Sequence, residues 1–241
     1  MMERLSLWFR TFRYQYKNDI GGMNFIKSSL KRGDTVFDIG AHKGGYLNLM
    51  RRCTGKQGTV IGFEPQFVLC EYLNSITKSL NWSNVKIEHM ALSDKEGTSY
   101  IHIPVNKVKQ GSSPGASLLN MHPKNEIIRT EEVNVQTLDN YINQTHLKPT
   151  FLKIDVEGNE LNIFKGGKIY LGTAKPKILV EIEARHVGEE QVMETIGFLR
   201  EMNYSGKFIH KKELVDLGKF TFAKYQNTKN MGDYCNNFIF E

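Results

Sequence analysis

The stretch Val-Phe-Asp-Ile-Gly-Ala-His-Lys-Gly-Gly, residues 36–45, decides the fold class of this chain. An apolar run leads directly into a glycine-rich turn, and residues 46–50 then repeat apolar side chains at helical spacing. A strand, a tight turn and a helix in this order open the nucleotide-binding βαβ unit of doubly wound sheets. The sequence therefore predicts an α/β domain with a Rossmann-like sheet.

The acid at the end of this first strand, Asp38, indicates which cofactor the turn suits. A dinucleotide brings a pyrophosphate to the helix N-terminus, where a carboxylate would repel it. Gly40 and Gly44 follow the pattern G-x-x-x-G instead of the dinucleotide pattern G-x-G-x-x-G. An acid beside a glycine turn fits a cofactor with cationic groups, such as the sulfonium and amine of S-adenosylmethionine. A nicotinamide-dependent oxidoreductase is thus disfavoured, and an Asp that only caps the helix is the structural alternative.

A second acid, Glu64, ends the next apolar run, residues 59–65. It follows Gly44 by 20 residues, the usual offset for an acid that accepts hydrogen bonds from ribose hydroxyls at a second strand end. Its two oxygens suit the 2′ and 3′ hydroxyls together. Pro65 then ends the strand. We therefore expect Glu64 and Pro65 to border a ribose.

Five motifs in a fixed order carry a family resemblance. Residues 38–44, 63–65, 137–139, 153–160 and 181–182 read DIGAHKG, FEP, TLD, KIDVEGNE and EI. Over about residues 20–205 the chain resembles the FkbM-type methyltransferases, which are class I enzymes that depend on S-adenosylmethionine. The resemblance implies methyl transfer, mostly to hydroxyls, and a sugar or glycan-linked acceptor. His42 departs from the Asn that the family commonly has there.

The residues expected to contact the cofactor lie in the glycine turn and at the ends of the first four predicted strands. They are Asp38, Gly40, Ala41, His42, Gly44, Glu64, Pro65, Met90, Ala91 and Asp155. The third strand, residues 85–92, ends where such folds place the adenine, so Met90 and Ala91 would flank it. For Met90, simple filling of the core is an equal alternative.

Acidic residues also cluster after the fourth and fifth predicted strands. The fourth strand, residues 151–154, should neighbour the first, which brings Asp155 close to Asp38 at the carboxyl edge of the sheet. The acceptor side is expected to contain Asp155, Glu157, Glu181 and His186. Either one of these groups takes the proton of the acceptor hydroxyl, or Asp155 and Glu181 help to hold a divalent metal. We prefer the metal-free version, because spacing alone is weak evidence for a metal.

Three other segments carry structural expectations. Residues 104–130 interrupt the α/β alternation and form either an acceptor-binding lid or a mobile surface loop. Residues 1–32 form a helical cap that is basic and aromatic. It either touches a membrane surface or an anionic polymer or, as the favoured alternative, packs its aromatic face on the domain and leaves its basic face solvated. An antiparallel pair, residues 207–210 with 237–241, would complete a mostly parallel sheet of seven strands.

The composition of the chain limits the classes of protein to which it can belong. The chain has 241 residues, 24% charged and 40% hydrophobic, which suits one domain over residues 1–241. Its 3 cysteines lack metal-binding spacing, and the sequence has no membrane span, secretory signal or nucleic-acid-binding motif. The expectation is a cytoplasmic enzyme that acts on a small-molecule or glycan acceptor, with its oligomeric state open. A non-catalytic binding module of the same fold remains the alternative, although such a module has no need for these acids and glycines.

Overall fold

The computed structural model describes residues 2–105, 115–119 and 127–241. The strands, in chain order, are β1 (Thr35–Ile39), β2 (Thr59–Phe63), β3 (Val85–Glu88), β4 (Ala91–Leu92), β5 (Gly97–Pro104), β6 (Ile128–Gln136), β7 (Phe151–Ile154), β8 (Lys177–Glu181), β9 (Gly206–His210), β10 (Glu213–Asp216) and β11 (Asn237–Phe240). The helices are α1 (Met2–Arg13), α2 (Ile20–Ser29), α3 (Leu47–Thr54), α4 (Phe67–Ser79), α5 (Leu138–Thr145), α6 (Glu160–Gly166), α7 (Lys168–Ala174), α8 (Ala184–Glu201) and α9 (Phe222–Tyr225). A π-helical turn, Tyr14–Asn18, joins α1 to α2.

The large sheet has the strand order β10-β9-β11-β8-β7-β1-β2-β3. The central strands β1, β2, β7 and β8 are apolar and almost wholly buried, as expected for parallel strands covered on both faces. From β1 the chain runs outward to β2 and β3 and then returns to β7 on the other side. The order therefore reverses between β1 and β7, where open α/β sheets bind their ligands.

The α/β fold class and the strand neighbours predicted from the sequence are confirmed. β1 pairs in parallel with β7, and β11 pairs antiparallel with both β8 and β9. The predicted count of seven strands is one short for this sheet, because β10 adds an edge strand antiparallel to β9. Three of the four residues of β10 are exposed, so its sequence resembles that of a loop, which explains the omission.

A second, three-stranded sheet has the order β4-β6-β5. The predicted third strand, 85–92, is wrong as one element: β3 pairs with β2, whereas β4 leaves the large sheet and pairs with β6. β5 and β6, which flank the predicted insertion, pair antiparallel. Their inward side chains form a small core of their own, with members Ala91, Ile101, Ile103, Val133 and Val135.

The motif Thr137-Leu138-Asp139 is structural. The Thr137 hydroxyl accepts a hydrogen bond from the Asn140 N–H at 3.1 Å and caps α5. Asp139 accepts from the N–H groups of Ile169 and Tyr170, at 2.9 and 2.8 Å, and so caps α7. Each such cap contributes about 1 kcal/mol to helix stability. This motif therefore fixes the helices behind the sheet and takes no part in the site.

Helix α8 is interrupted at Gly188, whose φ is 81°. One helical prediction needs correction. The N-terminal helix does not pack its aromatic face on the domain: Leu7 and Thr11 are buried, but five large apolar side chains are exposed. These are Leu5, Trp8, Phe9, Phe12 and Tyr16.

Of the predicted insertion, 104–130, residues 106–114 and 120–126 lie outside the described residues. In the parts of the chain that the structure covers, none of the helices combines the length and the hydropathy that a membrane span needs.

Candidate active site

The glycine turn after β1 is held by backbone contacts from both neighbouring strands. The N–H groups of Gly40 and Ala41 both donate to the Phe63 carbonyl at 3.0 Å. Gly40 has a φ of 81°, and a Cβ built on it would lie 1.9 Å from the Asp155 carbonyl oxygen. No side chain fits in that gap, so the turn brings the ends of β1, β2 and β7 together only because residue 40 is glycine.

Glu64 lies at the end of β2, and backbone donors fix its carboxylate. One oxygen accepts from the His42 N–H at 2.7 Å and the other from the Gln66 N–H at 2.9 Å. The side chain is 2% exposed. Burial raises the pKa of Glu64 to about 7, although the two N–H donors oppose that rise. Each oxygen keeps a lone pair for a further donor, as the ribose prediction requires.

Asp38 is completely buried at the end of β1, and neither carboxylate oxygen has a hydrogen-bond partner among the described residues. The nearest cation is Lys153 on β7, with Nζ 3.7 Å from Oδ1, which is an ion pair too long for a hydrogen bond. Burial raises the pKa of Asp38 to about 6, and Lys153 limits the rise. His42 is a second unsatisfied group, because its Nε2 is buried without a partner in the described chain.

Lys153 connects this carboxylate to the acceptor side. It is 4% exposed, its Nζ donates to Asp155 Oδ2 at 3.0 Å, and it lies 4.8 Å from the centre of the Tyr46 ring. Burial opposes its charge, but Asp155 and Asp38 outweigh burial and raise the pKa of Lys153. The sequence analysis did not assign Lys153 to the site. A lysine inside the apolar run of β7 was the available signal, since a buried cation requires carboxylate partners.

One pocket lies at the switch between β1 and β7. Of the predicted residues, it is lined by Gly40, His42, Glu64, Pro65, Met90, Ala91, Asp155 and Glu157. Asp38, Ala41, Gly44, Glu181 and His186 do not line it. Asp38 is completely buried next to Lys153, and Gly44 packs against Leu73 and Leu7.

The second sheet and residues 115–119, which belong to the predicted insertion, supply further lining of the pocket. Ile101, Ala116, Ser117 and Leu118 cover the pocket, and Gln66 and Asn159 border it. Ser117 pairs with His102 of β5, and its hydroxyl donates to the Glu157 carbonyl at 2.7 Å. The described part of the predicted insertion therefore closes one side of this pocket. The alternation of β5 points Ile101 inward, but its distance from β1 in sequence concealed the contact.

On the acceptor side, Glu157 and His186 form an ion pair. His186 Nε2 lies 2.9 Å from Glu157 Oε2 and 3.9 Å from Glu183 Oε1. The carboxylate of Glu157 raises the pKa of His186. His186 is thus biased towards its protonated form, in which it donates hydrogen bonds and is a poor base.

Glu181 and Glu183 form a coupled carboxyl pair beside this ion pair. Glu181 accepts from the Asn236 side chain at 2.5 Å, and Asn236 also donates to Glu183 at 3.2 Å. Burial and the nearby Asp155 raise the pKa of Glu181 well above its usual range. Glu183 is buried too, but donors from Glu181, Tyr234 and Arg185 outweigh burial and lower the pKa of Glu183. Glu181 is therefore the more basic carboxylate of the two.

Comparison with known families identifies the chain. A model described as "Methyltransferase FkbM domain" matches residues 38–205. The chain belongs to the FkbM methyltransferase family. This confirms the family predicted from the five motifs. A comparison with curated proteins finds no match.

Solved structures share the fold of this FkbM family member at low identity. The FkbM methyltransferase from Methylobacillus flagellatus KT is 14% identical, with a TM-score of 0.55 over 99% of this chain and 55% of that one. This chain thus spans about half the length of that protein. Aeropyrum pernix fibrillarin with bound S-adenosyl-L-methionine is 12% identical, with a TM-score of 0.51 over 91% of this chain and 72% of that one. A putative methyltransferase from Streptococcus mutans in complex with SAH is 10% identical, with a TM-score of 0.52 over 93% of this chain and 98% of that one. These likenesses show a methyltransferase fold.

Proposed function

We propose that this FkbM family member is an S-adenosylmethionine-dependent O-methyltransferase that acts on a hydroxyl of a sugar or glycan-linked metabolite. The observation that carries the proposal is Glu64: a buried carboxylate, held by two backbone N–H groups, in a pocket beside the glycine turn. Structural relatives solved in complex with S-adenosylmethionine or SAH support the choice of cofactor.

The residues of the pocket fit this cofactor. Glu64 would accept hydrogen bonds from the ribose hydroxyls, and Met90 and Ala91 would flank the adenine. Two buried groups at the turn need partners, the Asp38 carboxylate and His42 Nε2, and polar groups of the methionine portion suit both. When bound, the cofactor supplies a methyl group on a positively charged sulfur. The side chains of the pocket then contribute orientation and exclusion of water.

The acceptor side supplies the base. Glu181 lies near Asp155, and burial raises its pKa, which makes its ionised form a stronger proton acceptor. We propose that this ionised carboxylate takes the proton of the acceptor hydroxyl. Asp155 and the ion pair of Glu157 with His186 would orient the acceptor by hydrogen bonds. So many polar side chains around one acceptor suit a compound rich in hydroxyls, which supports a sugar over an apolar acceptor. The three cysteines are unpaired, which fits a cytoplasmic location.

The test is transfer of a labelled methyl group from S-adenosylmethionine to a panel of free sugars, glycan-linked metabolites and aromatic hydroxyl compounds. We expect transfer to sugar hydroxyls and a loss of about 10² to 10⁴ in kcat for Glu181→Gln. The matched control is Glu190→Gln, an exposed residue of α8. Transfer to aromatic hydroxyls alone would contradict the acceptor class. An undiminished rate in Glu181→Gln would contradict the role of the base.

A metal-assisted reaction is the alternative that the same assay separates. In the described part of the chain, no group of three or more His, Cys, Asp or Glu side chains is placed to hold a metal ion. We therefore expect activity to survive dialysis against EDTA. A loss that magnesium restores would replace the proposed base with a metal-bound acceptor.

A further inference from the structure

Helix α1 and the π-helical turn after it present a continuous apolar face to solvent. Leu5, Trp8, Phe9, Phe12 and Tyr16 recur at the spacing i, i+3, i+4, i+7 and i+11, which places them along one side of a helix. Their exposed fractions run from 47% for Trp8 to 64% for Leu5. Large apolar side chains grouped in this way mark an interaction surface, whereas single exposed ones are common and need no explanation.

The opposite side of α1 packs on the domain, and these contacts prevent a rotation of the helix that would bury the apolar face. Leu7 and Thr11 are 1% and 4% exposed. Arg10 donates to the Lys43 carbonyl of the glycine turn at 2.5 Å. The Tyr14 ring packs on Gly45 and lies 5.2 Å from the Tyr46 ring. The orientation of the helix is therefore set by the same turn that borders the cofactor pocket.

Basic side chains flank the apolar face. Arg13 and Lys17 are exposed at the end of α1 and in the π-helical turn. Lys27 and Arg52 form the far wall of the groove beside the helix, and a basic cluster containing Arg32 and Lys56 continues from Arg52. Among the described side chains that line these two surfaces, none is acidic. The surface therefore combines a wide apolar face with an unopposed positive rim.

We propose that α1 lies in the interface of an anionic lipid membrane, with Leu5, Trp8, Phe9, Phe12 and Tyr16 among the acyl chains and headgroups. Interfacial helices have this composition: Trp, Phe and Leu on one face and Lys or Arg beside it. Anionic lipids also complement the basic rim, whereas a second copy of this chain would bring two positive rims together. Charge complementarity thus favours a lipid surface over a symmetric dimer.

The experiment is co-sedimentation of the full chain with vesicles of phosphatidylcholine alone or mixed equally with phosphatidylserine. We expect binding to the mixed vesicles, weakened by salt. Replacing the three central aromatics, Trp8→Ser with Phe9→Ser and Phe12→Ser, should lower the partition coefficient at least about 100-fold. Arg13→Gln with Lys17→Gln should lower it about 30-fold, since each basic residue contributes about 1 kcal/mol. The matched control, Ile169→Ser, removes a side chain that is 73% exposed elsewhere and should change nothing.

The two tryptophans give a second readout. Trp8 is 47% exposed and Trp82 is 7% exposed, so a blue shift of fluorescence on mixing with anionic vesicles reports on Trp8. Trp8→Ser should abolish the shift. Affinity for S-adenosylmethionine should stay within twofold in all these variants, which verifies their folding. Failure of the wild-type chain to bind anionic vesicles, or equal binding by the triple variant, would overturn the proposal. A dimer in sedimentation equilibrium that the triple variant dissociates, without vesicle binding, would assign the face to a second copy instead.

Discussion

The two sides of the candidate site are held by different kinds of contact. On the cofactor side, Glu64 is 2% exposed and receives two backbone N–H donors. On the acceptor side, Glu157 and His186 are 19% and 24% exposed in their side chains and depend on each other. A backbone donor stays when side chains change, but a side-chain pair is lost with either partner. The backbone therefore fixes the carboxylate of the proposed cofactor side, whereas the proposed acceptor side depends on side chains that substitution can change.

Lys153 is the exception, because it contacts both sides. Its Nζ lies 3.7 Å from Asp38 and 3.0 Å from Asp155, and it is buried from water. A buried cation between two carboxylates restricts the position of both. The following predictions test how far the difference between the two sides holds, beginning with the largest effect.

Gly40→Ala should strongly destabilise the glycine turn on the proposed cofactor side. Its Cβ would lie 1.9 Å from the Asp155 carbonyl, and φ is 81°. We expect a loss of at least about 4 kcal/mol in the free energy of unfolding, measured by urea denaturation. The control is Gly33→Ala, which has φ of 90° but open space around the Cβ, and should cost about 1–2 kcal/mol. Equal losses for the two variants would show that φ alone matters and that the close approach to β7 does not.

Lys153→Met should destabilise both sides together. It leaves Asp38 and Asp155 without their shared cation, so we expect a loss of about 3–5 kcal/mol in urea denaturation at neutral pH. Lys86→Met is the matched control, because Lys86 also pairs with a carboxylate, Glu88 at 2.6 Å, but is 64% exposed. Removing an exposed pair should cost less than about 1 kcal/mol. Similar costs for both variants would contradict the buried triad.

The pKa of Glu64 predicts a slope of stability with pH. Its folded value of about 7 is raised from 4.5, so the folded chain holds the proton more tightly than the unfolded chain. The contribution of Glu64 to the free energy of unfolding is then fully present below pH 4.5. It is lost as the pH rises through about 7, and the loss is at most about 3 kcal/mol. Glu64→Gln should reduce this slope in cofactor-free protein, measured by thermal denaturation across that range. Asp38 and Glu160, whose pKa values are also raised, would keep part of it. An unchanged slope in Glu64→Gln would contradict the assignment.

His186→Ala should have the smallest effect on the fold. It removes a partly exposed ion pair, so we expect less than about 1 kcal/mol in urea denaturation and less than a twofold change in affinity for S-adenosylmethionine. Its effect should fall on KM for the acceptor. A large loss of cofactor affinity would show that the two sides are not separate.

The sequence predicted most of what is local and periodic. Residues 36–45, the acid at 64 and the apolar strand before Asp155 gave the fold class, the pairing of β1 with β7 and the family. The single strand expected over 85–92 was wrong because nothing in its apolar pattern marks the change of sheet between Glu88 and Ala91. β10 was missed because an exposed edge strand lacks an apolar pattern.

The contents of the pocket were harder to predict where contacts join distant segments. Ser117 reaches the Glu157 carbonyl across 40 residues, and Ile101 comes from the second sheet. Glu181 was placed near Asp155, but its coupling to Glu183 depends on Asn236 from the last strand. These contacts follow from strand order and register, which a motif does not contain.

The most direct test of the account is isothermal titration of the purified protein with S-adenosylmethionine and its demethylated product, with NAD as a control ligand. We predict micromolar binding of both and none of NAD. Glu64→Ala, verified as folded by circular dichroism, should weaken binding by about 10² or more, because it loses hydrogen bonds to a charged acceptor. Glu71→Ala, an exposed acid on α4, should bind as the wild type does. No binding by the folded wild-type protein, or equal binding by Glu64→Ala, would contradict the central claim.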